Sequence, residues 1–300
     1  MTVRAATIEA GLSVARCRVA DYFALTKPRI VAMVLVTTLA GYYLGAHGRL
    51  DFALALNLVI GTAIAAGGTL ALNQYFEREL DAKMERTRHR PLPDGRLRPF
   101  EALVFGLTAT AAGFAFLWIA VNLLCALVTA AISVVYLVAY TPLKRASWLC
   151  CIVGAVPGAL PPVAGWAAAR GTLDLEPLLM FAIMFLWQVP HTLAIGTLWR
   201  DDFARAGVRM LPPDTARGSL TAAVIIGTCS ALIVMGVLPA VLGYAGTAYL
   251  IVAAALGAAM LACAIAMIRA VDHAAAARRV LFASLVYLPV VLLVLVLDQR

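Results

Sequence analysis

Nine apolar stretches run through this chain, each close to the roughly 20 helical residues that cross about 30 Å of hydrocarbon. They fall near 29–46, 53–76, 100–119, 121–140, 149–168, 176–198, 220–242, 246–268 and 279–297. A water-soluble fold cannot absorb that pattern. Hydrophobic residues make up 63% of the 300 and charged residues 13%, where an ordinary globular domain carries about 25% charge. A soluble core of this size would leave its surplus apolar side chains in water, whereas a bilayer removes the problem. The expected fold class is therefore an all-α membrane protein, a nine-transmembrane-helix bundle. The third and fourth stretches nearly touch around Val121 and Asn122, which predicts a tight hairpin. Residues 1–25 read as an N-terminal cytoplasmic or interfacial segment, and 26–300 as a single transmembrane domain. Glu9, Arg16, Arg18 and Asp21 interrupt any signal-peptide core before Lys27.

Orientation follows from the basic residues, because cytoplasmic loops collect Lys and Arg. With the N-terminus inside, that side gathers 21 of the 24, and only Arg49, Arg170 and Arg300 lie opposite. The expectation is N-terminus in, C-terminus out, with cytoplasmic loops at about 77–99 and 199–219. The net charge of +8 is explained by those loops, so nucleic acid is not an expected partner. Cys17, Cys125, Cys150, Cys151, Cys229 and Cys263 show no CxxC or Cys/His spacing, which argues against zinc or a disulfide scaffold. For Cys150 and Cys151, packing is the simpler role. Pro157, Pro161, Pro162, Pro190 and Pro239 lie within spans among small residues, which suits a bundle enclosing a cavity. Pro190 is expected to break its helix just before His191.

The acidic residues cluster between Glu77 and Asp94 and again at Asp201, Asp202 and Asp214. Asn73, Glu77 and Asp81 are spaced i, i+4, i+8, so on a helix they drift about 80° and rise about 12 Å. They form one polar stripe at the cytoplasmic end of the second span. Lys83, Arg86, Arg88 and Arg90 are interleaved with it. Oxygen ligands beside fixed cations suit a Mg²⁺-bridged polyphosphate, since Mg²⁺ takes one or two protein carboxylates and keeps its waters. Glu79 and Glu85 read instead as helix-end ion pairs, such as Glu79 with Lys83 at i, i+4. Asp201 and Asp202 stand near Arg205 and Arg209 on the same membrane face, a second acidic and basic patch.

Six segments in order carry a family likeness: DYFALTKPRI at 21–30, LNQYFERELDAKMERTRHRPLP at 72–93, YTPLKR at 140–145, GAVPGALPPVAGW at 154–166, FLWQVPHTLAI at 185–195 and RDDFARAGVRMLP at 200–212. The chain resembles the UbiA-type intramembrane prenyltransferases, and within them the haem-directed branch. Two departures stand out. Glu77 occupies a position where many relatives carry Asp, and Ala206 follows Asp202 by four, so the paired Asp-x3-Asp of other branches is absent. The last three spans carry no motif.

The resemblance implies a bundle of UbiA type in the bacterial plasma (inner) membrane, with its active site facing the cytoplasm. It implies transfer of a farnesyl group from farnesyl diphosphate to a vinyl group of haem b, with water addition, giving haem O. Mg²⁺ is the implied cofactor. Asn73, Glu77, Asp81 and Asp202 are the implied catalytic and metal residues, with Asp201 beside them. Lys83, Arg86, Arg90, Lys144 and Arg145 would contact the diphosphate. His191, with Trp187 and Gln188, would meet haem; for His191, iron ligation, a propionate contact and a hydrogen-bonded core role all stay open. His47, His89 and His273 read as solvated loop residues. Trp166, Trp187, Trp199 and Tyr140 read as interfacial anchors or as lining of a prenyl channel. Implied partners are the bilayer, haem b, farnesyl diphosphate and haem A synthase or terminal-oxidase assembly factors. Two alternatives remain: another acceptor, such as a quinone precursor or chlorophyllide, and a secondary transporter, against which the charges cluster at one face rather than the midplane.

Overall fold

The computed structural model describes residues 18–47, 49–213, 219–268, 270 and 272–300. Most of the N-terminal segment, together with Asp214, Arg217 and Arg269, therefore lies outside the described residues. Residues 18–25 are helical. They lead into α1 (Pro28–Ala46), α2 (Phe52–Asp81), α3 (Pro99–Ala120), α4 (Leu123–Ala146), α5 (Cys150–Arg170), α6 (Leu175–Leu198), a short α7 (Arg200–Ala206), α8 (Leu220–Val241), α9 (Thr247–Ile268) and α10 (His273–Leu297). Among the described residues, nine of these helices are long and apolar enough to span a membrane. All nine expected spans are present. Their exposed faces carry Val36, Leu56, Leu107, Leu127, Val234, Ile251 and Leu293, as lipid-facing surfaces do.

Small residues set the closest crossings. A Cβ on Gly113 would run into Ala65, one on Gly61 into Leu117, and one on Gly68 into Thr110, so α2 and α3 approach where neither has bulk. Gly41 likewise lies against the backbone of Pro162, and Gly165 against Thr38, which joins α1 to α5. Of the α5 window 72% is buried, against 28–44% for the other spans, so α5 is the inner helix. Its small and apolar face fits that place. The α3–α4 hairpin is as tight as expected. Asn122 caps α4 by accepting from the Cys125 amide at 2.8 Å, and its Nδ2 donates to the carbonyls of Ala167 and Ala168.

Three boundaries differ from the expectation for physical reasons. α2 continues to Asp81 because its last turn is covered: Leu80 and Asp81 are buried beneath the 82–98 loop. Helix then gives way to turns, so Lys83 loses the i+4 register and Glu79 sits instead by Arg78 at 3.5 Å. α4 continues past Tyr140 to Ala146 through a π-helical turn at Val135–Tyr140. Pro142 has no N–H to give Val138, and its ring crowds that carbonyl, so the helix widens just upstream. Finally, α6 runs unbroken through Pro190. One missing hydrogen bond is tolerated where the helix is clamped on both sides, and the expected break before His191 is absent.

Candidate active site

The C-terminal ends of α2 and α4 and the short α7, with Lys27 and the 82–98 loop, bring the charged residues of the first stripe into one cluster. Asn73, Glu77 and Asp81 are all buried on α2, and each side chain is met by a cation from a different segment. Lys27 Nζ donates to Asn73 Oδ1 at 2.8 Å, Lys144 Nζ to Glu77 Oε1 at 2.6 Å and Arg90 Nη1 to Asp81 Oδ2 at 2.7 Å. Burying charge is tolerable only with such pairing. The widened turn of α4 supplies two more contacts. Thr141 Oγ1 accepts from Asn73 Nδ2 at 3.1 Å while donating to the Tyr136 carbonyl at 2.8 Å. The Lys144 ammonium lies 4.3 Å from the Tyr140 ring centroid, a cation–π contact. Tyr140 thus lines the cluster, packed against Gly154, and is not an interfacial anchor.

By sequence Lys27 is only one of the loop charges, yet the structure places it in the cluster. Its backbone is left-handed, with φ 50°, where a non-glycine residue is strained. The following Pro28 disfavours the right-handed helical region at this position. Burial foremost, and next the nearby Arg90, push the Lys27 ammonium down to about 7. A segment fixed from outside holds it there. Gln74 Nε2 donates to the carbonyls of Ala24 and Leu25, Arg18 pairs with Glu101 at 2.6 Å, and buried Asp21 pairs with Arg96. Arg96 also donates to the His89 carbonyl at 2.8 Å, so one arginine ties the N-terminal segment to the loop. The only legible signal was a lysine directly before the proline that starts the first span.

Asp202 plays a different part. It is buried on α7, and its Oδ1 accepts from the Glu85 amide at 3.1 Å and from Arg205. Burial works against its charge, but the Glu85 amide and Arg205 hold it below the ordinary carboxylate range. Its Oδ2 is buried and meets no hydrogen-bond partner among the described residues. Asp201 is exposed and makes none of these contacts. Lys83, Arg86 and Arg145 are exposed at the rim, and Arg88 pairs with Glu85 at 2.5 Å. Cys150 and Cys151 act by packing: Cys151 Sγ donates to the Met210 carbonyl at 3.0 Å and fastens the 208–210 strand of chain that follows α7.

No three His, Cys, Asp or Glu side chains converge as a ready-made metal cluster among the described residues. The donor set nevertheless fits Mg²⁺, which asks for few protein oxygens when a substrate phosphate supplies the rest. The buried Asp202 Oδ2 without a partner and the side-chain oxygens of the stripe on α2 are of that kind.

Deeper in α6, Trp187 and His191 stack with ring centroids 4.8 Å apart, and both bind Ser284 of α10. Gln188 is turned the other way, its amide filling the space that a Cβ on Gly158 would need. The remaining aromatic and histidine expectations divide. Trp199 is exposed at the end of α6, as an anchor would be, whereas Trp166 is fully buried with the His47 ring edge against it. His47 is exposed but bonded to Arg170 at 2.7 Å, His89 is exposed, and His273 is not a loop residue but begins α10.

A model of the UbiA prenyltransferase family matches residues 34–286. The chain is 44% identical to Protoheme IX farnesyltransferase of Solibacter usitatus, over 93% of this chain and 98% of that one. It is 38% identical to the enzyme of the same name from Koribacter versatilis, over 93% of each. Two solved structures share the fold. Digeranylgeranylglyceryl phosphate synthase superposes with a TM-score of 0.75 at 16% identity, over 93% of this chain and 98% of that one. A UbiA homolog from Archaeoglobus fulgidus bound to DMAPP and Mg²⁺ superposes with a TM-score of 0.64 at 13% identity, over 92% and 99%.

Proposed function

The chain belongs to the UbiA prenyltransferase family, and from that premise we propose that it transfers the farnesyl group of farnesyl diphosphate to a vinyl group of haem b, giving haem O and diphosphate. The observation that carries the reading is the buried stripe Asn73–Glu77–Asp81, matched by Lys27, Lys144 and Arg90 from three other segments at one end of an apolar bundle. A charged headgroup with an apolar tail is the ligand such a site suits.

The allylic C–O bond breaks only as charge growing on the departing diphosphate is neutralised. Mg²⁺, when bound, supplies part of that neutralisation. Asn73, Glu77, Asp81 and Asp202 are the residues that would hold it, with Asp201 at the rim. Lys27, Lys144 and Arg90 bind the phosphate oxygens, and the exposed Lys83, Arg86 and Arg145 draw the diphosphate in. The apolar walls exclude water while the farnesyl cation persists. Electrons of the haem vinyl group form the new bond to farnesyl C1. Water then adds to the resulting cation and loses a proton, leaving a hydroxyethylfarnesyl substituent. The scheme asks for no protein nucleophile. His191 and Trp187 face the acceptor in this reading, whereas Gln188 packs against Gly158.

The same reading places residues 26–300 as one transmembrane domain in the bacterial inner membrane, with the N-terminus and the 77–99 and 199–219 loops in the cytoplasm and the C-terminus outside. Haem A synthase or terminal-oxidase assembly factors would exchange haem with it.

The test is a product assay. Membranes holding the protein receive haem b, farnesyl diphosphate and Mg²⁺, and extracted haems are resolved by mass. Haem bearing a hydroxyethylfarnesyl group is the expected product. Diphosphate release with unmodified haem would move the reading to another acceptor, and neither product in correctly inserted protein would end it.

A further inference from the structure

The last span, silent in sequence, fixes the chemistry of His191. Ser284 of α10 is fully buried, and its Oγ has two close neighbours, the Leu281 carbonyl at 2.6 Å and His191 Nδ1 at 2.8 Å. A carbonyl oxygen can only accept, and a hydroxyl has one proton. Ser284 therefore gives its proton to Leu281, and the contact with His191 is a hydrogen bond only if Nδ1 donates. A neutral imidazole protonated at Nδ1 carries its free lone pair on Nε2. Trp187 restrains the same ring, stacked on it at an interplanar angle of 23° and tied by its Nε1 to the Ser284 carbonyl at 2.7 Å. One residue of α10 thus sets both the tautomer and the ring plane. His191 Nε2 meets no hydrogen-bond partner among the described residues, although the side chain is half-buried in a span.

The depth is right for the acceptor. His191 lies seven residues before the end of α6, about 10 Å, and Asn73 eight residues before the end of α2, about 12 Å. The Glu85–Asp202 hydrogen bond ties the segments just beyond those two ends together. His191 therefore sits at nearly the level of Asn73, the innermost residue of the stripe.

Metal-ligating histidines are oriented in this way, with one nitrogen donating outward and the other left to the metal. Resting on the reading that the acceptor is an iron porphyrin, we propose that Ser284 is a positioning residue that presents His191 Nε2 as an axial ligand to the haem iron. The bond is a lone-pair donation from nitrogen to iron, with no electron or proton transferred. Ligation fixes the porphyrin against α6 before its vinyl group reacts.

The experiment uses the full chain in lipid nanodiscs, titrated with haem b and separately with metal-free protoporphyrin IX. Affinity is measured together with the iron–histidine stretching band of the ferrous complex. The wild type is expected to bind haem b at least about 10-fold more tightly than protoporphyrin IX, and His191→Ala to abolish both that preference and the band. Ser284→Ala, which keeps the backbone bond to Trp187 and only shrinks the side chain, is expected to retain ligation but shift the band and weaken haem b by about 10–100-fold, as loss of an outer partner of a metal ligand does. Ser284→Thr restores the hydroxyl and returns both towards wild type. A Ser284→Ala protein with wild-type affinity and band would overturn the positioning role, and a His191→Ala protein with wild-type preference would overturn ligation. Assaying farnesylated haem in the same nanodiscs separates the two readings. Binding through His191 without product leaves this inference standing and the reaction fallen, and product with His191-independent binding does the reverse.

Discussion

The two acidic patches look alike in sequence, and the structure gives them different work. On α2, three polar side chains lie on one helical stripe and each is answered by a cation from elsewhere in the chain. On α7, one carboxylate of two is buried, and it binds the backbone of the loop that follows the first stripe. The first patch gathers paired charges on one helix; the second ties down the loop that covers the first while keeping one oxygen uncommitted. Neighbouring acids on a short helix point about 100° apart, which is enough to give Asp201 and Asp202 different environments.

That contrast can be broken or sharpened by substitution. The largest effect is expected from Glu77→Gln, which removes charge from the stripe and leaves half-buried Lys144 without its counter-charge. Steady-state assays should show at least about a 100-fold loss of turnover, the scale of losing one preorganised electrostatic contact. Asp202→Asn should cost less, about 10–100-fold, because it weakens the loop anchor and one ligand oxygen while the stripe stays charged. Faster hydrogen exchange across residues 82–90 would confirm the anchoring role, and an unchanged exchange pattern would remove it. Lys27→Met should act on substrate more than on chemistry, raising KM for farnesyl diphosphate about 10-fold, in line with one charge-assisted hydrogen bond. Asp201→Asn and Arg145→Ala, both exposed, should stay within about 3-fold of wild type, as surface charges do. An Asp201→Asn protein as damaged as Asp202→Asn would erase the distinction between the two patches.

The spans were legible because apolar length is a one-dimensional property, and the stripe because i, i+4 spacing survives wherever a helix forms. Other features depend on partners distant in sequence. Lys27 reaches Asn73 only through a left-handed residue held by Gln74, Asp21 and Arg96. The Glu79–Lys83 pairing failed because α2 ends two residues before Lys83, a boundary set by burial under the loop. Pro190 predicts a break, yet α6 carries it. Of the two roles open to Trp166, anchor or channel lining, burial in the inner helix α5 removes the anchor. Ser284 had no local signal, since its meaning lies in a histidine 93 residues earlier.

The most direct test of the central claim is diphosphate release by wild type and Asp81→Asn across a Mg²⁺ titration, with haem b and farnesyl diphosphate held constant. Wild-type release should rise and saturate with Mg²⁺. Asp81→Asn should need far more metal and remain at least about 100-fold slower at saturation. If Asp81→Asn matched the wild type at limiting Mg²⁺, the α2 stripe would not be the metal–diphosphate site.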